Sequence, residues 1–423
     1  MRAEKTHEKL ILFALWLMVF SSSSQVIIIS PILPRIGEEL VIADSLLGWL
    51  VTSYAVFLSV FALIIGPISD KMGRRFVLLL GCGSMAIALA LHAAASSFSA
   101  LLTMRAVAGA AGGMLSGAAV SYVGDYFPYT RRGWANGWVM SGVAVGQIVG
   151  IPLGIILADN FGFKSAFMMF GGTMMLAFFL VWFYVPQPDV RRDSARLTVG
   201  RAIRNYLELL RRRVVVAAAA TYFLMFFSIG LYLIYLPTWL ESTLGVSGNE
   251  IASLFLVGGL TNIISGPLAG RVSDSVGRKP LIILSCVGFG IIMLLTTWAV
   301  TSMFYAYVLF GLAMFMMAIR ISPLQSLLTA LVSENRRGAL LSLTVALGQV
   351  GIGIGGAIAG IAYMDYGYVS NTLLGAAGIT LMAVLVYFSL PEPQGDSDGV
   401  RVHRDDEPSA EMSSSTVGNA TNS

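Results

Sequence analysis

Charge is scarce in this sequence. Only 12% of its 423 residues are Asp, Glu, Lys or Arg, whereas 56% are hydrophobic. A soluble chain of that length needs polar faces on its helices, and blocks such as 78–95 and 373–390 offer none. Cysteine and histidine are nearly absent, with two and three copies. Cys82 and Cys286 therefore read as small packing residues rather than a bridge, and with His92 they make neither a nucleophile constellation nor a metal cluster. An enzyme is not expected, nor any cofactor or metal. A GxxxxGK[ST] phosphate loop is missing, which argues against an ATP-driven pump. No basic patch is interleaved with aromatics as nucleic-acid binding needs, so the net charge of +4 is read as a matter of membrane orientation.

What is present is a series of apolar blocks of about 20 residues, the length of a bilayer-spanning helix. Runs bounded by charged or Gly/Pro-rich turns place spans at 9–33, 45–67, 76–95, 98–122, 134–157 and 165–186. A second set follows at 214–237, 250–270, 280–299, 302–326, 337–361 and 371–390. The expected fold is an all-α membrane protein of 12 transmembrane helices in two pseudo-symmetric six-helix bundles, 1–186 and 214–390. Between them, 187–213 reads as a cytoplasmic linker whose helix turns Val199, Ile203, Tyr206, Leu207 and Leu210 toward the inner leaflet. The tail, 391–423, is rich in Ser, Asp, Glu and Gly and reads as disordered. Of the 27 Lys and Arg, Arg105 and Arg320 fall inside spans and Arg35 and Lys164 in turns on the outer side; the other 23 share the inner side. Basic residues near span ends stay in the cytoplasm, so both termini are expected there, in a plasma (inner) membrane. The first span is too long for a removable signal peptide and lacks its cleavage site.

The two halves repeat each other. GPISDKMGRR, beginning at Gly66, is matched by GRVSDSVGRK, beginning at Gly270, 204 positions on. Leu33-Pro34 recurs as Leu236-Pro237, Arg131-Arg132-Gly133 as Arg336-Arg337-Gly338, and Asn160-Phe161-Gly162-Phe163 as Asp365-Tyr366-Gly367-Tyr368, at offsets of 203 to 205. A parallel repeat of this kind implies two bundles that enclose a midplane site and rock to expose it alternately. The first loop resembles the signature of the major facilitator superfamily between helices two and three, matched at Gly66, Asp70, Lys71, Gly73, Arg74 and Arg75. The second copy has Ser275 where the pattern has a basic residue. The resemblance spans all twelve helices and lies nearest the 12-helix drug:proton antiporter branch.

That resemblance implies a cytoplasmic gate. Asp70 would sit at the N-terminus of helix eleven, where unpaired N–H groups and the dipole favour a carboxylate, with Arg74 and Asp125 completing the network. Asp274 and Arg278 would mirror them near Gly133, with Glu334 as a looser partner. Gly142, Gly146, Gly150 and Gly154 recur every fourth residue with Pro152 inserted. Such a stripe lets helices approach closely, and Gly146, Gly150, Pro152 and Gly154 resemble the helix-five signature of exporters in this superfamily. Arg105 and Gly109 match its helix-four signature, which implies proton or substrate handling.

Charged groups inside a membrane are functional candidates by default. Arg320 carries no family signature, and its alternative is to snorkel or to bind backbone carbonyls near Pro323. The neutral cavity candidates are Gln25, Tyr54, Asn136, Gln147, Tyr232, Tyr235, Asn262, Gln325 and Gln349; the superfamily's pore helices favour Gln25, Arg105, Tyr232 and Gln325. No acidic residue falls clearly inside a span, and where drug antiporters place an Asp in helix one this chain has Ser21 to Ser24 and Gln25. Glu38, Glu39, Asp44 and Glu241 stand at outer span ends instead. The leading expectation is a monomeric, proton-coupled exporter of lipophilic or amphipathic small molecules. The alternative is an exporter or facilitator of one metabolite, such as a sugar, an organic anion or a lysolipid. Asp70→Asn is expected to weaken transport at near-normal membrane abundance; unimpaired flux in that variant removes the latch role.

Overall fold

The computed structural model describes residues 2–188, 199–330 and 334–391; the expected disordered tail lies outside them. The first half comprises α1 (Arg2–Ile27), α2 (Ile29–Leu40), α3 (Asp44–Met72), α4 (Arg74–Leu91), α5 (Phe98–Leu115), α6 (Ala118–Tyr126), α7 (Tyr129–Val145), α8 (Ile151–Phe161) and α9 (Phe163–Tyr184). After α10 (Val199–Leu210), the second half comprises α11 (Arg213–Leu233), α12 (Leu236–Leu244), α13 (Gly248–Val276), α14 (Arg278–Ala299), α15 (Met303–Ala330), α16 (Glu334–Tyr366) and α17 (Tyr368–Ser389). Taken with their continuations, 11 segments are long and apolar enough to cross a membrane among the described residues. The 29-residue α13 takes the eighth place in the twelve-helix order. Large apolar side chains cover the outside, Ile264 at 71% exposure and Phe388 at 78% among them, a surface suited to lipid and not to water.

Four of the expected continuous spans are broken or distorted, and the sequence supplies the reasons. Pro31 cannot donate to Ile27, and α1 stops there; Ser23 and Ser24 donate back to Val19 and Phe20 carbonyls and loosen the same region. Gly117, at φ +72°, separates α5 from α6. Pro152 cannot donate to Ile148, and Gly146–Gly150 form a π-helical turn between α7 and α8. Pro237 leaves the Leu233 carbonyl without its helical partner, and α11 gives way to α12. In a bilayer that carbonyl needs another donor. Ser30 of the first half supplies it, its Oγ lying 2.6 Å from Leu233 O and 3.0 Å from Ile234 O.

The internal repeat is visible in the backbone. Gly73 and Gly277 stand at φ +100° and +97°, and Gly162 and Gly367 at +83° and +72°, in equivalent turns at opposite ends of the bundle. The halves meet along two seams, α3 against α16 and the π turn and α8 against α13. On the first seam Gly48 lies on the Gly356 backbone, where a Cβ at residue 48 has no room. Thr52 Oγ1 donates to Gly353 O at 2.6 Å and Ser59 Oγ to Ala346 O at 2.9 Å. Near the Gly162 end, Tyr235 receives the Gly48 N–H at 2.9 Å and donates to Asp44 O at 2.5 Å.

The linker helix departs from expectation. Leu207 is 57% exposed and Leu209 is 3% exposed, so the packed face of α10 runs through Tyr206, Leu209 and Leu210. Tyr206 donates to Leu63 O of α3 at 3.3 Å. The side chains of Val199 and Ile203 lie outside the described residues.

Gly48→Ala is expected to destabilise the detergent-purified protein by about 1–3 kcal/mol, because its methyl group must displace backbone. Gly124→Ala, which meets nothing within 4 Å, serves as the control. Equal melting temperatures for the two variants remove the seam from the account.

Candidate functional site

A cavity of about 570 Å³ opens between the halves, walled by α1, α3, α5 and α7 on one side and by α11 and α16 on the other. One face of α3 grips α16 through Gly48, Thr52 and Ser59; the other turns Val51, Tyr54 and Leu58 into the cavity. Glycines on α5 bring Arg105 to Tyr54. Gly109 packs on the Tyr54 backbone, Gly112 on the Tyr54 ring and hydroxyl, and a Cβ at Gly113 would stand 2.6 Å from Leu58 O. The helix-four pattern is therefore, in this chain, also a packing device.

Arg105 is fully buried, with its guanidinium 4.5 Å from the Tyr54 ring centroid. It donates to Gln25 Oε1 at 3.3 Å and to Leu50 O at 3.4 Å, and Gln25 donates in turn to the Tyr54 hydroxyl at 2.9 Å. Gln25 stands behind the wall while Tyr54 and Arg105 contribute to it. Ser22, Ser23, Ser30, Ser116 and Gln349 are the other polar side chains of a wall otherwise formed by Met, Val, Leu, Ile, Phe, Ala and Gly. Among the described residues no carboxylate lines this cavity or pairs with Arg105.

A smaller cavity of about 230 Å³ adjoins the first in the second half and shares Ile27, Phe226, Leu233 and Ile352 with it. Asn262 of α13 donates to Gln147 of the π turn at 3.1 Å across its mouth, and Met314, Met317 and Arg320 of α15 form its far wall. Arg320 neither snorkels nor reaches carbonyls near Pro323. It is fully buried over the Phe289 ring, at 5.0 Å, with the Cys286 thiol beside it, and none of its three side-chain nitrogens has an oxygen or nitrogen acceptor among the described residues.

The remaining sequence candidates divide. Tyr232 is 1% exposed, shares a hydrogen bond with Thr296 at 3.3 Å and lines neither of the two cavities. Gln325 is exposed on α15 and hydrogen-bonds Tyr222, also apart from both. Both therefore leave the cavity-lining set. Arg74 binds Asp125 at 2.6 Å and Ser69 Oγ at 2.9 Å, and Arg278 reaches Ser326 O at 3.5 Å. The side chains of Asp70, Asp274 and Glu334 lie outside the described residues. Gly142, Gly146 and Gly150 pack on α1 from Trp16 to Ser24, Gly154 packs on Ile28 at the break that follows it, and Pro152 follows the π turn.

Sequence reasoning missed the closure at the Gly162 end. Arg35 of α2 lies 2.8 Å from Asp159 of α8, 3.3 Å from Glu38 and 3.5 Å from Glu241 of α12, so one cation ties the halves together. Burial alone lowers the Arg35 pKa; Glu241, Asp159 and Glu38 outweigh it and raise it, keeping the charge at any working pH. Its signal was available, since a basic residue on the outer side breaks the orientation trend and this one stands among acids.

The model of the Major Facilitator Superfamily matches residues 15–247 and 218–410. The chain belongs to that superfamily. As a major facilitator it is a multi-pass membrane transporter and not an enzyme. Its relatives include the multidrug resistance protein MdtG of Proteus mirabilis, 25% identical over 397 residues that cover 90% of this chain and 96% of that one. The MFS-type transporter YceJ of Bacillus subtilis is 26% identical over 356 residues, 83% of this chain and 89% of the relative. The fold matches that of a D-xylose-proton symporter at a TM-score of 0.75 and 19% identity, covering 92% and 99% of the two chains. It also matches the human organic anion transporter MFSD10, at 0.68 and 18%, covering 90% and 99%.

Arg35→Gln is expected to loosen the closed end. With Cys82 and Cys286 replaced by Ala, an impermeant maleimide applied from the Arg35 side should label Gln349→Cys several-fold faster when Arg35 is Gln. An unchanged rate assigns the closure to the α3 and α16 seam alone.

Proposed function

We propose that this chain is a proton-coupled exporter of lipophilic or amphipathic small molecules, working by alternating access as a monomer in a plasma (inner) membrane with both termini in the cytoplasm. The observation that carries the reading is the 570 Å³ apolar cavity built from both halves, whose buried polar equipment is the Arg105, Tyr54 and Gln25 cluster. A wall of Met, Val, Leu and Phe with few polar anchors tolerates many apolar shapes. Relatives named as multidrug resistance proteins over nine-tenths of the chain agree with it.

In this reading residues 1–186 and 214–390 rock against each other on the two seams, with 187–213 as their cytoplasmic link. With the seams in contact at the Arg35 end, the opposite end is free to part. Return to the other state breaks the Arg35 cluster and closes the cytoplasmic side through Asp70, Arg74 and Asp125, mirrored by Asp274 and Arg278. Arg105 holds its charge without a carboxylate, so a proton is carried by a group at the margin of the path. The carboxylates around Arg35 are placed for that, because opening the outer end exchanges their cation for water.

Reconstitution into liposomes loaded with a pH-sensitive dye tests the reading. Lipophilic cations and neutral drugs should each move protons opposite to themselves under an imposed gradient, and Arg105→Ala should reduce flux at least about tenfold. Flux of a sugar or lysolipid alone, with no movement of drugs, replaces this reading with the metabolite transporter.

A further inference from the structure

Arg320 poses a problem that Arg105 does not. A buried guanidinium keeps its charge, and its desolvation is costly unless an anion or hydrogen bonds offset it. Arg105 has two hydrogen bonds and a ring. Among the described residues Arg320 has the face of Phe289 and the thiol of Cys286, a weak sulfur partner that leaves the guanidinium fork without an oxygen acceptor. No carboxylate among the described residues reaches it.

The surroundings are those of a binding wall. Arg320 lines the 230 Å³ cavity together with Met314, Met317 and the Asn262 and Gln147 pair, whose amides are already bonded to each other. Its nitrogens are covered, so an anion reaches them only when a neighbour moves. The adjoining wall allows that, since Met314 and Met317 are flexible thioethers. This cavity is below the range of about 300–1,000 Å³ that whole drug-sized ligands occupy, so it takes one end of a molecule. It adjoins the larger apolar cavity across Ile27, Phe226, Leu233 and Ile352, and movement of these side chains would let the rest of the molecule lie there.

From this we infer that Arg320 is the anchor for the carboxylate of an anionic amphiphile whose apolar body lies in the main cavity. This rests on the export reading and adds anionic amphiphiles to its substrate classes. The planar guanidinium matches a carboxylate through two parallel N–H bonds, which neither an alcohol nor an ammonium reproduces. In this arrangement Phe289 holds the empty guanidinium in place and continues to stack on it when the acid arrives. Diacyl lipids are a separate source of anionic heads, and competition with phosphatidylglycerol distinguishes them.

Binding to the detergent-purified full chain tests the inference. By calorimetry, 4-butylbenzoate should bind at least about tenfold more tightly than 4-butylbenzyl alcohol. Arg320→Gln should bring the two within about twofold, while binding of the alcohol persists as evidence that the variant is folded. A diazirine-bearing benzoate, photolysed on the wild-type protein, should label α14 and α15 around Phe289 and Met317. This localisation keeps the question decidable where Arg320→Gln does not purify. Equal affinities for acid and alcohol in the wild type overturn the inference, as does labelling confined to the residues around Tyr54. So does protection of the label by phosphatidylglycerol but not by excess 4-butylbenzoate, which assigns Arg320 to lipid. Because binding rather than flux is read, failure here leaves the export reading intact. Acid binding without flux of any compound in liposomes ends the export reading and leaves the Arg320 site standing.

Discussion

The structure depends on backbone meeting backbone where its halves join. Lipid offers two apolar helices little reason to prefer each other, so close packing and internal hydrogen bonds must hold them. Glycine at 48 and 356 removes the side chains from the α3 and α16 seam, and Thr52 and Ser59 then reach carbonyls on the opposite helix. The cavity is the complement of that contact. With one face of α3 committed to α16, the face carrying Val51, Tyr54 and Leu58 is held at a fixed distance from α5 and α11. Contact and cavity are two sides of one helix.

Three arginines in low-dielectric surroundings are handled in three ways. Arg35, near the membrane margin, is surrounded by carboxylates from both halves. Arg105 is neutralised by no counter-ion but is solvated by a ring, an amide and a carbonyl, which fixes its direction. Arg320 has a ring and a thiol beside it among the described residues, and no oxygen acceptor. The series runs from a charge spent on holding the protein shut to one that the protein does not itself satisfy.

Much of the fold was legible, because bilayer thickness dictates span length and the 204-residue echo dictates two like halves. The breaks at Ile28, Gly117 and Ile234 were not, since a Pro or Gly in an apolar run marks either a kink or an ordinary interior position until its neighbours are known. At the site, Arg105 and Gln25 stood out in the sequence by their types and by the family pattern, and Tyr54, which joins them in one hydrogen-bonded cluster, only as one polar residue among several. Tyr232 and Gln325 were misplaced for a common reason. A helix number places an element beside the cavity, but the side chain's rotation about that helix decides whether it faces the cavity, and these helices lack the apolar stripe from which rotation is read in soluble proteins. Arg35 was visible as an exception to charge asymmetry, but its partners come from three helices whose ends only the tertiary structure brings together.

The π-helical turn at Gly146–Gly150 explains how its two end glycines stay in line with Gly142 before it and Gly154 after it. Residues four apart on an α-helix overshoot a full turn by about 40°, so three such steps would carry the last glycine well round the cylinder. The wider turn absorbs one overshoot in the middle of the run. Gly142 lands on Trp16, Gly146 and Gly150 on Ser24, and Gly154 on Ile28, following α1 as a straight track. The local irregularity thus acts as a phase correction, and shifting Pro152 by a single position would steer one end of the stripe away from its partner without changing any residue in the contact.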